Sequence, residues 1–133
     1  MNNKCPAVAV DVICYHIPTG NIVLIERKFP PLGLAIPGGF VDEGETVEQA
    51  AKREMKEELG VELLSLQFIG YFDDPKRDPR RHVISFAFFA TIGDEPVAGD
   101  DAKSIKMVNP QELFQDWKTN KSTRLVFDHE KIL

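Results

Sequence analysis

The sequence predicts an α+β fold, an α/β/α sandwich with a mixed β-sheet between helices. Three observations carry that expectation. Short runs rich in Val, Ile and Phe recur along the chain, separated by turns containing Gly and Pro. One uninterrupted, well-capped helical stretch lies near the middle, and two further helical patterns follow the last apolar run. The strands and helices are interspersed rather than segregated, which favours a sheet covered by helices.

Each element has its own signal. Ala7 to Ile17 and Ile22 to Glu26 read as strands, and the turn chemistry of Pro18-Thr19-Gly20-Asn21 joins them as a hairpin. Phe29 to Leu34, with Pro30, Pro31 and Gly33, is a loop. Leu34 to Phe40 is a short apolar segment broken by Pro37, Gly38 and Gly39, where glycine permits close backbone approach. Thr46 starts the clearest helix, because Thr46 and Gln49 fit a capping box. Val47 to Leu59 contains no Gly or Pro, and Gly60 supplies the stop. Leu63 to Phe72, His82 to Ile92 and Ser104 to Val108 read as strands. Asp73 to Arg81 and Gly93 to Asp101 are charged loops; Pro110 to Trp117 and Ser122 to Leu133 read as helices. Phe114 and Trp117 lie on an amphipathic segment and are expected in the core or at a dimer contact.

The 133 residues suit a single domain, 1–133, with 43% hydrophobic and 28% charged residues. A net charge of −5 gives no basic footprint for nucleic acid. There is no window of membrane-spanning length and no signal-like stretch, so the expected location is cytoplasmic. Cys5 and Cys14 form no zinc-like pattern and suit a reducing compartment. His16 and His129 have no acidic or cysteine partner at metal-ligand spacing, and His82 reads as a structural hydrogen-bonder.

The chemistry concentrates on the central helix. Ala51, Met55 and Leu59 form an apolar stripe, and Glu54, Glu57 and Glu58 crowd the surface beside it. Like charges at this spacing destabilise a helix unless a cation sits among them. Oxygen-only ligands suit a hard ion, Mg²⁺ or Mn²⁺, and such ions serve phosphoryl chemistry. The bland reading is a solvated acidic face.

Fixed spacing decides against the bland reading. Gly39, Glu45, Arg53-Glu54, Glu57-Glu58, Gly60 and Val61 stand at the offsets of the Nudix box, over 39–61. The order of hairpin, Pro-Gly-Gly, helix and sheet resembles the Nudix fold over nearly the whole chain. The resemblance implies hydrolysis of a nucleoside diphosphate linked to another moiety. It also implies roles: Glu57 and Glu58 as principal metal ligands, Glu54 as a ligand or orienter of the attacking water, and a carbonyl ligand from the backbone around Gly38. Arg53 is implied as an orienter and Glu45 as a tie from loop to helix. More than one ion per site is implied.

Pro75, in the run Tyr71 to Ser85, resembles the loop of small ADP-ribose pyrophosphatases, and Ala98 to Ala102 is similar to that group. ADP-ribose, cleaved to AMP and ribose 5-phosphate, is therefore the implied substrate, and a homodimer the implied assembly. The alternatives are a Nudix hydrolase for another nucleotide and a non-catalytic ADP-ribose sensor. Phosphate or ribose contacts are expected from Arg27, Arg77, Arg80 or Arg81, whose planar fork matches phosphate. Phe29 reads either as an adenine stacker or as loop packing. The general base is open among Glu54, Glu57, Asp100 and Asp101, the last two having a solvated turn as their other reading.

Overall fold

The computed structural model of the chain describes residues 5–99, 102–119 and 129–132. A seven-stranded mixed sheet is built from β1 (Ala7–His16), β2 (Asn21–Arg27), β3 (Leu34–Ala35), β4 (Gly38–Phe40), β5 (Ser65–Phe72), β6 (Val83–Ile92) and β7 (Ala102–Val108). The main path is β3-β2-β1-β6-β5, with β4 beside β1 and β7 beside β2. β1 and β6 are parallel along their full length, from Ala7↔Val83 to His16↔Ile92. The other described pairings are antiparallel.

Alternation along β1 separates two cores, because successive side chains point to opposite faces. Val10, Val12 and Cys14 pack with Ala50, Ala51, Met55 and Leu59 of α1 (Val47–Leu59). Ile13 packs on the other face with Ile22, Leu24 and Ile36, together with Leu113 of α2 (Pro110–Thr119) and Ile132 of α3 (His129–Ile132). Helices therefore cover both faces. Met55 and Leu59 are fully buried, and each such burial contributes about 1.5–3 kcal/mol. Cys14 lies against Met55, and burial, aided by the Glu58 charge, pushes its thiol pKa up to about 12. That thiol is chemically inert.

Both ends of α1 follow local chemistry. The Thr46 hydroxyl accepts from the Gln49 amide at 3.1 Å, and the Gln49 side chain accepts from the Thr46 amide at 2.9 Å. Gly60 adopts φ 68°, a left-handed conformation that glycine takes without penalty. A distant loop completes this terminus. The Val97 amide donates to the Leu59 carbonyl at 2.8 Å, and the Gly99 amide to the Glu58 carbonyl at 2.7 Å.

Some expectations change in detail. The apolar segment from Leu34 to Phe40 divides into two short strands because β2 takes Leu34 and Ala35 while β1 takes Gly38 to Phe40. The last strand starts at Ala102, paired with Arg27 across a bulge in β2. Leu113, not Phe114, takes the core position of α2, and Phe114 is exposed. The expected helix over 122–133 is described only for His129–Ile132, and the Trp117 side chain lies outside the described residues.

Candidate active site

One edge of β1 is shared by two partners. β2 pairs with its end at Tyr15 and His16, and β4 with its start at Ala9, Val10 and Asp11. A cavity of about 350 Å³ opens at this division, lined from β1, β2, β4, α1, the 73–82 loop and α3.

Arg53 organises the α1 side. Its Nε and one terminal nitrogen donate to the Glu45 carboxylate at 2.6 and 2.9 Å. The same terminal nitrogen reaches the Phe40 carbonyl at 2.9 Å. The other donates to Glu54 at 2.8 Å and Glu57 at 3.0 Å. Glu45 also accepts from the Asp42 amide at 2.9 Å, which fastens the 41–46 loop to the helix. The Arg53 hydrogen bonds, with the Asp42 amide, hold the Glu45 carboxyl below its ordinary range. Hydrogen bonding to Glu45 in turn raises the Arg53 pKa, so this guanidinium is permanently charged.

Glu54 and Glu58 line the cavity, together with Gly38 and Gly39. A Cβ at Gly39 would lie 2.3 Å from the Glu54 carboxyl carbon, so glycine is what lets that carboxylate rest against β4. Glu57 is not among the lining residues; it is held by Arg53 and more than half exposed. Among the described residues, no three His, Cys, Asp or Glu side chains converge as a ready-made metal cage. The donor set still fits a hard ion. Mg²⁺ commonly takes one or two carboxylates and completes its shell with water and substrate phosphate. Two carboxylates beside a glycine backbone supply the protein's share.

The opposite chemistry comes from arginines. Arg27, Arg77 and Arg80 line the same cavity. The Arg27 Nε is tied to the Pro31 carbonyl at 2.8 Å. Arg80 grips the Asp78 carboxylate with two nitrogens at 3.0 and 2.7 Å, and its guanidinium carbon stands 5.7 Å from the centre of the Phe40 ring. Arg77 is buried and lies 3.6 Å from the Asp11 carboxylate. Phe29 lines the cavity, with 56% of its surface exposed.

One expected substrate contact, Arg81, is not among the residues lining the cavity. Arg81 donates to the Cys5 carbonyl at 2.9 Å, which turns it toward the start of β1. Asp101, like Asp100, lies outside the described residues. His82 bonds to the Asp73 carbonyl at 3.1 Å, a structural contact.

Sequence reasoning missed Asp11, Ser85 and the partner of His129. Asp11 accepts a hydrogen bond from the Ser85 hydroxyl and lies 3.3 Å from His129 Nε2. His129 Nδ1 accepts from the Ile36 amide at 2.9 Å, so its proton sits on Nε2, facing Asp11. Burial alone would raise the Asp11 pKa, but His129, Ser85 and Arg77 together hold it below the ordinary range. One signal was available: a lone Asp inside the apolar run Ala7-Val8-Ala9-Val10-Asp11-Val12-Ile13.

Comparison with known proteins agrees with this architecture. The family described as NUDIX domain matches residues 6–129. An ADP-ribose pyrophosphatase from Methanocaldococcus jannaschii is 47% identical over 131 residues, covering 96% of this chain and 71% of that protein. A crystal structure of a MutT/nudix family protein from Enterococcus faecalis aligns with a TM-score of 0.86 at 32% identity, over 99% of this chain and 61% of that one. A bifunctional NMN adenylyltransferase/ADP ribose pyrophosphatase from Francisella tularensis, complexed with AMP and a Mn ion, gives 0.78 at 29% identity, over 99% of this chain and 41% of that one. This chain thus spans less than two thirds of either solved chain. A family match over nearly its whole length, on the sheet and helix described above, means that the chain belongs to the NUDIX domain family.

Proposed function

We propose that the protein is a metal-dependent pyrophosphohydrolase that cleaves ADP-ribose to AMP and ribose 5-phosphate. The observation that carries this reading is one cavity faced by the Glu54 and Glu58 carboxylates and by Arg27, Arg77 and Arg80. A diphosphate requires both partners: metal-binding carboxylates and cationic forks for its remaining oxygens. The relationship to the M. jannaschii ADP-ribose pyrophosphatase supports the choice of substrate.

Glu54, Glu58 and the Gly38 carbonyl would hold Mg²⁺ or Mn²⁺, with Glu57 as a further ligand from the Arg53 cluster and more than one ion in the working site. When bound, the metal neutralises phosphate charge and makes water a better nucleophile. Arg77 and Arg80 bind and orient the diphosphate. Arg53 holds Glu54 at 2.8 Å, where the carboxylate can align water or take its proton. The water oxygen bonds to one phosphorus, the bridging P–O bond breaks, and the other phosphate leaves with that electron pair. Phe29 offers its ring to the adenine, while Ile25 and Val83 give the cavity apolar walls. Asp101 remains a second candidate for the base. A homodimer in the cytoplasm completes the proposal.

The test is a hydrolysis panel with Mg²⁺ or Mn²⁺: ADP-ribose, NADH, a dinucleoside polyphosphate, a sugar nucleotide and the common triphosphates, with products identified. AMP plus ribose 5-phosphate, formed fastest from ADP-ribose and abolished by chelator, is the expected result. Faster cleavage of another compound would reject the substrate, and tight ADP-ribose binding without hydrolysis would reject the enzyme.

A further inference from the structure

A second polar cluster touches the cavity but contains none of the box carboxylates. Its centre is Asp11, on the sheet face covered by α2 and α3. Three groups from distant parts of the chain converge on this carboxylate: the Ser85 hydroxyl of β6 donates to it, His129 of α3 faces it at 3.3 Å, and Arg77 of the 73–82 loop forms an ion pair with it at 3.6 Å. Asp11, Arg77 and His129 all line the cavity, and their side chains are 10%, 3% and 4% exposed.

Such a cluster is an expensive way to hold a fold. Desolvating a carboxylate and a guanidinium costs more than burying apolar residues of similar size, unless every group is paired. A Val at position 11 would continue the apolar run of β1. The buried charge instead fixes geometry. His129 accepts from the Ile36 amide through Nδ1 and faces Asp11 through Nε2, so one ring joins α3 to β1 and to the segment between β3 and β4. That segment continues directly into Pro37, Gly38 and Gly39. Arg77, on the opposite flank, forms an ion pair with the same carboxylate at 3.6 Å.

We infer that Asp11, with His129, is a positioning device for substrate: it holds Arg77 and the Ile36–Gly39 wall in their binding arrangement, and thereby sets KM more than the chemical step. This inference rests on the ADP-ribose reading for its kinetic test. Asp11→Asn keeps the shape but removes the charge, and turns one of the two acceptor oxygens into a donor nitrogen facing Ser85 and Arg77 or facing His129. His129→Leu keeps bulk and removes both polar contacts, whereas His129→Gln can restore an acceptor for Ile36 and a donor for Asp11.

The experiment measures kcat and KM for ADP-ribose in Asp11→Asn, His129→Leu, His129→Gln, Arg77→Ala and the Asp11→Asn/Arg77→Ala double variant, with thermal melts to verify folding. In parallel, wild type and variants are treated with phenylglyoxal, and modification of Arg77 relative to Arg53 is mapped by peptide mass spectrometry. Asp11→Asn is expected to raise KM about tenfold while kcat falls no more than about threefold. His129→Leu should raise KM about threefold, with His129→Gln recovering most of the loss. The Asp11→Asn/Arg77→Ala double variant should be no worse in KM than the worse single one, as for residues acting as one unit. Arg77 should react at least about fivefold faster in Asp11→Asn than in wild type, because one of its buried counter-charges is gone while Asp78 remains.

KM values within about twofold of wild type in both Asp11→Asn and His129→Leu would overturn the inference. So would unchanged Arg77 labelling, or additive KM effects in the double variant. If Asp11→Asn does not fold, the two His129 variants and their Arg77 labelling decide. If wild type hydrolyses no ADP-ribose, the proposed function fails by itself, and faster or unchanged Arg77 labelling still decides whether Asp11 holds that arginine.

Discussion

Two ion networks border the same cavity and are built in opposite ways. Around Arg53, one cation serves four carboxylates: it donates to Glu45, Glu54 and Glu57 and pairs with Asp42 at 3.5 Å. Around Asp11, one carboxylate is met by a hydroxyl, an imidazole and a guanidinium drawn from separate elements. The first network is open to water, with Glu57 at 57% exposure, whereas the second is sealed. An open network of excess acid can rearrange when a metal ion arrives, because its charges keep much of their hydration. A sealed network cannot exchange partners cheaply, so it serves to hold rather than to respond. One cavity thus has an adaptable side and a fixed side.

Removing a carboxylate from the adaptable side should have the largest effect. Glu58→Gln and Glu57→Gln are each expected to reduce kcat about a hundredfold or more, comparable to losing one preorganised charge-stabilising group. Their melting temperatures without metal should equal or exceed wild type, since a repulsive charge is gone. Near-normal turnover in both would break the assignment of this side to metal.

Adjacent glycines sharpen the contrast. At Gly38 a Cβ would stand 2.0 Å from the Val10 carbonyl, which is sheet backbone, whereas at Gly39 the atoms nearest to it would be those of the Glu54 carboxylate. Gly38→Ala should therefore destabilise the fold by about 1–3 kcal/mol. Gly39→Ala should fold nearly normally and lose about tenfold in kcat, because Glu54 is displaced. Denaturant melts and steady-state kinetics on the two variants separate these outcomes. Arg53→Lys should cost about tenfold or less in kcat, since an ammonium cannot span Glu45, Glu54 and the Phe40 carbonyl as a planar fork does.

Acid distinguishes the networks most gently. Asp11 is held below its ordinary 3.8, so its contribution to stability is full above that pH and is lost as pH falls through the lower folded value. The melting temperatures of wild type and Asp11→Asn should differ at neutral pH and converge well below pH 3.8. Glu45 has the same sign from its ordinary 4.5, so its contribution starts to decline at a higher pH. A gap between wild type and Asp11→Asn that widens in acid would contradict the pairing at Asp11.

The two networks also differ in how far the sequence exposes them. Thr46 with Gln49 and Gly60 are local signals that correspond to contacts at the ends of α1, and the Ala51-Met55-Leu59 stripe marks the helix face that packs on β1. The strand pattern likewise separates the two faces of β1. Helical spacing places Arg53 beside Glu57, because side chains four apart share a face. No periodicity links Asp11 to Ser85, Arg77 or His129. Their meeting follows from the parallel pairing of β1 with β6 and the return of α3 to the sheet, both tertiary events. Arg81 illustrates the same limit: adjacent to Arg80 in the chain, it reaches Cys5 while Arg80 reaches Asp78 and Phe40.

The amides of Val97 and Gly99 close the carbonyl end of α1, and a Cβ at Gly99 would stand 2.1 Å from the Glu57 carbonyl. The helix that carries Glu54, Glu57 and Glu58 is thus clasped by chain arriving from the far side of β6. Breathing of that loop and fraying of the helix end are then a single opening event. In hydrogen–deuterium exchange the Val97, Gly99 and Gly60 amides should share one protection factor, and that factor should rise together when metal and nucleotide bind.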